Sequence, residues 1–354
     1  MPSPQRLARI DVSPMSPDRI PVLGRPPEHP YRVVIHGLPH FCRKLAALLS
    51  SDKWDIRFHT HQGLLDLLAL VRDLRRCDLV YTWGGRIDLG KFLWGARWFG
   101  SSKLVMLWSG SDALWAQKDA AAGKLHPWIA AKKHWAVSPW IAEEVRSVGL
   151  DCEHVQVSFV PLVKDILPMP KEFSVLSYVP SADKAGLYGW DQLVEVAKAL
   201  PSMNFKVVGL REPGTLSAPR NVKIEGWTDN LAIHIREASA IFRPVQHDGL
   251  SFMVLESMAQ GRHVLYSYPL PGTTHAKDAG AAIRELQRLA KLNEAQSLGC
   301  NTGGLEIVRR EYSERRVRQN LLARWEQIIL GSPAANGGRI VREQENNAIQ
   351  PISS

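Results

Sequence analysis

The residues with the clearest chemical potential lie in the stretch IFRPVQHDGLSFMVLESMAQGRHVLYSYPLPG, residues 241–272. Its pattern predicts a strand, a Gly-containing turn, a helix that begins near Leu250 and a second strand. The amides of Gly249, Leu250 and Ser251 would then lie at a helix N-terminus, where unpaired N–H groups and the helix dipole favour an anion. The turn therefore predicts a phosphate site.

Two carboxylates flank this predicted site. Asp248 precedes the predicted helix, and Glu256 lies about two turns into it. Carboxylates repel phosphate but accept hydrogen bonds from hydroxyl groups, so both suit a sugar. An acid before a helix is often only an N-cap, and for Asp248 taken alone that alternative stands. The block as a whole predicts a loop that holds a diphosphate by its amides and a sugar by its carboxylates.

Strand and helix signals alternate along most of the chain. They run from YRVVIHG (31–37) to VQVSFV (155–160), which we expect to be the last strand of the first half. The pattern pauses at PLVKDILPMPKEF (161–173), restarts at FSVLSYVP (173–180) and reaches a strand at HVLYSY (263–268). This alternation predicts parallel sheets covered by helices. We expect an α/β protein with two Rossmann-like α/β/α domains facing a cleft, the default ligand site.

The composition sets the predicted boundaries. Residues 1–30 are proline-rich and predict a flexible N-terminal arm, and the polar, Gly-rich residues 331–354 predict a disordered tail. Between them we expect an N-terminal domain at 31–165 and a C-terminal domain at 166–330, helical from Ala276 onwards.

Several protein classes are excluded by the sequence pattern. No run approaches the roughly 18 apolar residues of a membrane span, and no apolar signal-peptide core is present. The four cysteines are scattered without a C-x-x-C pair, which argues against a zinc ribbon or a disulfide framework. We therefore expect a cytoplasmic protein.

The net charge of +9 is concentrated in one fifth of the 354 residues. Residues 32–103 hold 12 Lys or Arg and 6 Asp or Glu. Their surplus of six positive charges is two thirds of the net charge. Nine of the 12 tryptophans fall between Trp54 and Trp140. Basic residues with Trp suit an anionic membrane surface, because cations feel its potential and Trp prefers the headgroup layer. The alternative is that most of these tryptophans belong to the core.

The block 241–272 resembles the signature of the retaining family 4 glycosyltransferases, which have the two-domain GT-B fold. The signature positions match in order at Pro244, Asp248, Gly249, Glu256, Ala259, Gly261 and Val264. The resemblance extends more weakly over about residues 31–330, through KLVMLWSGSD, HWAVSPWIAEEVRSVGL, YGWDQLVEVAKALPSMNFKVVG and NVKIEGWTDNLAIHIREASAIF. It implies that the first half binds the acceptor and the second half binds a nucleotide-sugar donor.

The resemblance also implies roles at the donor site. Glu256 would bind the nucleotide ribose, and Asp248 would bind hydroxyls of the transferred sugar. The turn amides, with Arg243 or Lys184, would neutralise the diphosphate. A structural ion pair remains an alternative for Arg243, and an ordinary solvated lysine for Lys184. No metal cofactor is expected, and the chain has no D-x-D motif.

On the acceptor side the candidate residues are Gly37 and Asp112. Gly37 would permit close approach of the acceptor, or would only make a tight turn. Asp112 would orient an acceptor hydroxyl, or would only cap the following helix. His36 and His40 flank the first loop, where a histidine is more often incidental.

The sequence departs from the family pattern at four places. Asp248 stands where Glu is more usual, and Tyr188-Gly189 replaces Lys-Gly before the first donor-domain helix. The arginine that normally follows the preceding strand is missing. Ser109 occupies the place of a histidine in the first half.

The expected function is transfer of a sugar from a nucleotide-sugar to a lipid-linked or polysaccharide acceptor, with retention of anomeric configuration, in cell-surface glycan synthesis. The enzyme would be peripheral on the inner face of the plasma membrane, and no nucleic-acid partner is expected. Two alternatives remain open at this point. One is a sugar-nucleotide epimerase, and the other is an inactive scaffold of the same fold that binds anionic lipid or nucleic acid.

Overall fold

The computed structural model describes residues 29–59, 63–100, 103–212 and 216–331. Apart from residues 29, 30 and 331, the predicted arm and tail lie outside this part of the chain.

The first half of the chain forms a six-stranded parallel sheet in the order β2-β1-β3-β4-β5-β6. Its strands are β1 (Tyr31–Gly37), β2 (Trp54–Phe58), β3 (Leu79–Trp83), β4 (Leu104–Trp108), β5 (Lys133–Ala136) and β6 (Cys152–His154). Its helices are α1 (Pro39–Leu49), α2 (Gly63–Leu74), α3 (Lys91–Phe99), α4 (Ser111–Ala121), α5 (Pro127–Ala130) and α6 (Pro139–Ser147).

The second half forms another six-stranded parallel sheet, in the order β12-β11-β10-β7-β8-β9. Its strands are β7 (Ser174–Tyr178), β8 (Asn204–Val208), β9 (Val222–Gly226), β10 (Ala240–Arg243), β11 (His263–Tyr266) and β12 (Thr274–His275). Its helices are α7 (Trp190–Ala199), α8 (Leu231–Glu237), α9 (Phe252–Ala259), α10 (Ala279–Glu294), α11 (Thr302–Ile307) and α12 (Glu314–Leu330). A 3-10 turn at Ala182–Lys184 and a π-helical turn at Val308–Tyr312 complete this half.

Burial follows from helices covering both faces of each sheet. In β1, Val33 and Ile35 belong to the core shared with α1 and α12, whereas Val34 belongs to the core under α2, α3 and α4. Strands β3 and β4 are buried along their whole length, as expected of a covered parallel sheet. The structure thus confirms the α/β fold class that the alternation of strand and helix signals in the sequence predicts.

One predicted strand is wrong. The segment 155–160 makes no strand ladder, and the edge strand β6 lies just before it at Cys152–His154. Val155, Val157 and Val160 are nevertheless buried in the core. Apolar side chains can be buried in the core without a neighbouring strand to pair with, so a short apolar run does not by itself show strand pairing.

The last helix returns to the first sheet. Trp325 in α12 is fully buried, with its ring centroid 5.0 Å from that of Tyr81 and 6.0 Å from that of Trp54. Beside it, Lys53 pairs with Glu326 at 2.7 Å. The strands of the first sheet precede residues 161–173, and those of the second sheet follow them. Helix α12 follows the second sheet in the sequence but packs on the first. The predicted domain boundaries stay a prediction.

No helix in the described part of the chain is both long enough and apolar enough to cross a bilayer.

The packing of α12 predicts a large stability effect. Trp325→Ala should lower the free energy of unfolding by about 3–5 kcal/mol, because it removes a fully buried aromatic ring and leaves a cavity. Urea denaturation followed by circular dichroism measures the change. Trp227→Ala is the matched control, since Trp227 is half exposed. Equal stability of the two variants would contradict the structural role of α12.

Candidate functional site

The site residues come from the carboxyl ends of strands in both sheets. In the second sheet the loop between β10 and α9, residues 244–251, occupies this edge. In the first sheet the turn between β4 and α4, at Ser109–Gly110, faces it. This edge is where open α/β sheets bind ligands.

The helix after the loop begins later than expected. α9 starts at Phe252 with Ser251 as its N-cap, rather than near Leu250. The amides without an intrahelical acceptor are therefore those of its first turn, and Gly249 lies in the loop itself. The amides of 249–251 have no hydrogen-bond acceptor within the part of the chain that the structure describes. The loop thus still presents a run of free N–H groups.

Arg243 and Asp248 form a buried ion pair at this loop. The Arg243 Nη2 lies 3.2 Å from Asp248 Oδ2, and Nε lies 3.3 Å from the same oxygen. The guanidinium also lies over the rings of Tyr188 and Tyr178, at 4.7 and 5.7 Å. Arg243 is only 6% exposed, and its buried Nη1 has no hydrogen-bond partner. An unpaired buried donor is costly, so this atom indicates a place for an anionic or acceptor group.

Gly249 makes a close backbone contact between the two halves. A Cβ at Gly249 would lie 1.7 Å from the Ser109 carbonyl oxygen and 3.2 Å from the Gly110 nitrogen. Only glycine allows this approach, because backbone atoms cannot rotate away. The loop of the second sheet therefore rests directly on the turn of the first.

Asp112 holds that turn in place. Its carboxylate accepts hydrogen bonds from the amides of Gly85, Ser109, Gly110 and Ala113, at 2.7 to 3.1 Å. Burial raises the pKa of Asp112, and the four amide hydrogen bonds oppose that rise. Both carboxylate oxygens thus accept hydrogen bonds from backbone amides, and Asp112 thereby fixes the conformation of the turn. Its predicted contact with an acceptor stays a prediction.

Three contacts that the sequence analysis missed fix the loop from the other side. Trp140 Nε1, at the start of α6, donates to the Asp248 carbonyl oxygen at 2.7 Å. Its ring stacks on Tyr268 at 4.6 Å, and the Tyr268 hydroxyl accepts from the Asp248 amide. His247 pairs with Glu144 of α6 at 2.8 Å. Trp140 follows β5 directly, so its place after a strand end was the available signal.

The carboxylate of Glu256 has no hydrogen-bond donor within the described part of the chain, and the nearest charge acting on it is that of Lys44 in the first half. Glu256 is partly exposed on α9, and burial raises the pKa of its carboxyl group while the charge of Lys44 on α1 lowers it. Lys44 also lies over the Phe252 ring at 5.9 Å. The carboxylate is therefore available to a ligand in the cleft. Its predicted ribose contact stays a prediction.

The remaining predicted residues are Lys184 and Gly37, with His36 and His40 beside Gly37. Lys184 is exposed in the short 3-10 turn and has no ion pair within the described chain. Gly37 ends β1 with φ +149°, and a Cβ there would lie 2.2 Å from the Trp83 carbonyl oxygen. His36 stacks on Phe92 at 3.8 Å, whereas His40 is exposed. The structure thus brings Arg243, Asp248, Gly249 and the brace Asp112 together.

The arrangement offers a recessed cation, free loop amides and two carboxylates at one cleft. No group of three or more His, Cys, Asp and Glu side chains suited to a metal ion occurs among the described residues. The prediction that no metal cofactor is needed stays a prediction.

No protein-family model matches this chain, and no curated protein does. Among solved structures, sucrose-phosphate synthase from Thermosynechococcus elongatus superposes with a TM-score of 0.62 at 14% identity, over 85% of this chain and 100% of that one. HepE from Anabaena, solved with UDP and glucose, gives 0.61 at 11% identity, over 86% and 100%.

TarM gives a TM-score of 0.53 at 12% identity, over 75% of this chain, and the present chain covers only 58% of TarM. These likenesses establish the fold. The two facing α/β/α domains expected from the sequence are confirmed, in the arrangement called GT-B.

The contact at Gly249 predicts a selective opening of the cleft. Gly249→Ala should push the loop away from the Ser109–Gly110 turn, because the new Cβ would overlap a backbone oxygen. The Trp140 indole N–H should then exchange faster in NMR, and the radius of gyration from solution scattering should rise.

Gly186→Ala is the matched control, since no atom lies within 4 Å of a Cβ at Gly186. An unchanged indole exchange rate and radius in Gly249→Ala would show that the two halves do not meet through this contact.

Proposed function

We propose that this chain is a retaining glycosyltransferase of family 4. It would transfer a sugar from a nucleotide-sugar to a lipid-linked or polysaccharide acceptor in cell-surface glycan synthesis, at the inner face of the plasma membrane. The observation that carries the proposal is the recessed Arg243 with its unpartnered Nη1, next to a loop of free amides. A diphosphate is a group that satisfies both.

The ion pair gives the two partners different tasks. Arg243 would stabilise the negative charge that develops on the departing diphosphate, in a site where little water competes. Asp248 would accept hydrogen bonds from sugar hydroxyls, and its charge holds the guanidinium in place meanwhile. Tyr188 supports this assignment: its ring lies under Arg243 at the position where the family has lysine. Arg243 would thus supply the positive charge that other members of the family obtain from the lysine and the arginine that this chain lacks.

The transfer step needs no covalent intermediate in this proposal. The acceptor oxygen forms a bond to the anomeric carbon on the face from which the diphosphate leaves. The bond from that carbon to the phosphate oxygen breaks, and the departing phosphate takes the acceptor's proton. The protein contributes positioning and charge stabilisation, and no metal ion is required.

The structural neighbours support a nucleotide-sugar donor. HepE has been solved with UDP-glucose and TarM with UDP and α-GlcNAc-glycerol. Glu256 would hold the ribose in the present chain, and the Ser109–Gly110 turn with Gly37 would border the acceptor.

Nucleotide binding tests the proposal directly. Arg243→Gln should weaken binding of UDP or GDP by about tenfold to a hundredfold, because a charge-assisted hydrogen bond contributes about 1.5–3 kcal/mol. Isothermal titration calorimetry measures this. Arg288→Gln is the control, since Arg288 is exposed on α10 and pairs with Glu285.

Asp248→Asn should keep nucleotide affinity and lose sugar transfer. A folded wild type that ignores every nucleotide, yet binds RNA or anionic lipid with a steep salt dependence, would instead establish the scaffold.

The raised pKa of Glu256 predicts a pH dependence for donor binding. A carboxylate that accepts ribose hydroxyls loses an acceptor when it is protonated, so affinity should be constant near neutral pH and fall as pH drops through the raised pKa. The binding measurements should use a nucleotide-sugar, because its diphosphate does not change its charge between neutral pH and the raised pKa of Glu256.

Glu256→Gln is the matched variant. It should bind the nucleotide-sugar more weakly than wild type, and its affinity should not fall as the pH is lowered. If both proteins lose affinity in parallel, Glu256 is not the ribose ligand.

A further inference from the structure

Exposed apolar side chains cluster on two neighbouring helices of the first half. Leu64, Leu65, Leu67 and Leu68 of α2 are all more than half exposed, with Leu65 at 83%. Their spacing of one, three and four residues puts them on one side of the helix. The opposite side of α2 packs on the sheet through Leu70 and Leu74.

Two tryptophans extend this surface onto α3. Trp94 and Trp98 are 52% and 64% exposed, and their ring centroids lie 6.1 Å apart. α2 and α3 pack against each other on the same face of the sheet. We call these six residues of α2 and α3 the docking face. Contiguous apolar surface of this kind marks an interaction site in a folded protein.

The exposed charges around the docking face are mostly positive. Five cations on and beside the two helices are exposed: Arg72, Arg75, Arg76, Lys91 and Arg97. The two acids of α2 both contact His59, Asp66 at 3.0 Å and Asp73 at 3.1 Å, and their side chains are 24% and 5% exposed. Arg72 also pairs with Asp73. The surface therefore combines apolar side chains with positive charge and little exposed negative charge.

We propose that the docking face binds the surface of an anionic lipid bilayer. Leucine side chains would enter the acyl boundary, tryptophan rings would lie at the headgroup level, and the five cations would contact lipid phosphates. A protein partner of ordinary composition does not require five exposed cations beside the apolar residues, whereas an anionic bilayer attracts them. The proposal extends the location given in the proposed function. Vesicle binding needs neither donor nor acceptor, so its failure is distinguishable from failure of the transferase proposal.

Vesicle co-sedimentation tests the proposal. The full chain should bind vesicles of phosphatidylcholine with about one third phosphatidylglycerol, and should bind pure phosphatidylcholine more weakly. Leu65→Ser with Trp98→Ser should reduce binding at least tenfold, because two apolar side chains no longer enter the bilayer. Arg75→Glu with Arg97→Glu should remove the preference for anionic vesicles and its salt dependence.

Trp227→Ser with Ile233→Ser is the matched control, since both residues are exposed in the second half. This variant should bind like wild type. Bromine-labelled lipids should quench tryptophan fluorescence in wild type more than in Trp98→Ser.

Three results would overturn the proposal: no binding of wild type to anionic vesicles, equal binding by the apolar variant, or a dimer in light scattering that the apolar substitutions dissolve. The last result would show that a second copy of the chain covers the face.

Discussion

The structure depends on one close contact between two backbones, that of Gly249 against the Ser109 carbonyl. No side chain fits between them, so the loop of the second sheet and the turn of the first have a fixed separation. Asp112 braces the turn through four amides, and Trp140 holds the loop through the Asp248 carbonyl. These contacts fix the position of the Asp248 carboxylate, and therefore that of the Arg243 guanidinium paired with it.

Most of the fold could be predicted from the sequence because a doubly covered parallel sheet leaves a strong pattern. Strand β1 has the predicted bounds, and β7 and β11 lie within the predicted strands at 173–180 and 263–268. The failure at 155–160 is instructive: its valines are buried because the segment packs on the core, although β6 has already ended the sheet. Which segment pairs at a sheet edge depends on what lies beside it in space, and a local pattern contains no such information.

The site could be predicted only in part. The block around Asp248 contains its own strand, turn and helix, so its local geometry follows from nearby residues. Trp140 contacts the Asp248 carbonyl from 108 positions away, and Glu144 contacts His247 from 103. Such partners meet only after two sheets have formed and faced each other. For Asp112 both a capping and an acceptor role fit the sequence, and only the structure shows four backbone donors around its carboxylate.

Topology also relates the docking face to the cleft. α2 and α3 each connect parallel strands, so each begins near the carboxyl edge of the first sheet and ends near the opposite edge. The exposed leucines occupy the first two turns of α2, and therefore lie toward the edge that contains Gly37 and the Ser109–Gly110 turn. A bilayer bound in the proposed way would adjoin the acceptor side of the cleft, leaving the loop at Gly249 and the ion pair behind it on the far side. An acceptor anchored in lipid would then reach the site along the membrane plane, whereas a soluble donor would enter from the water.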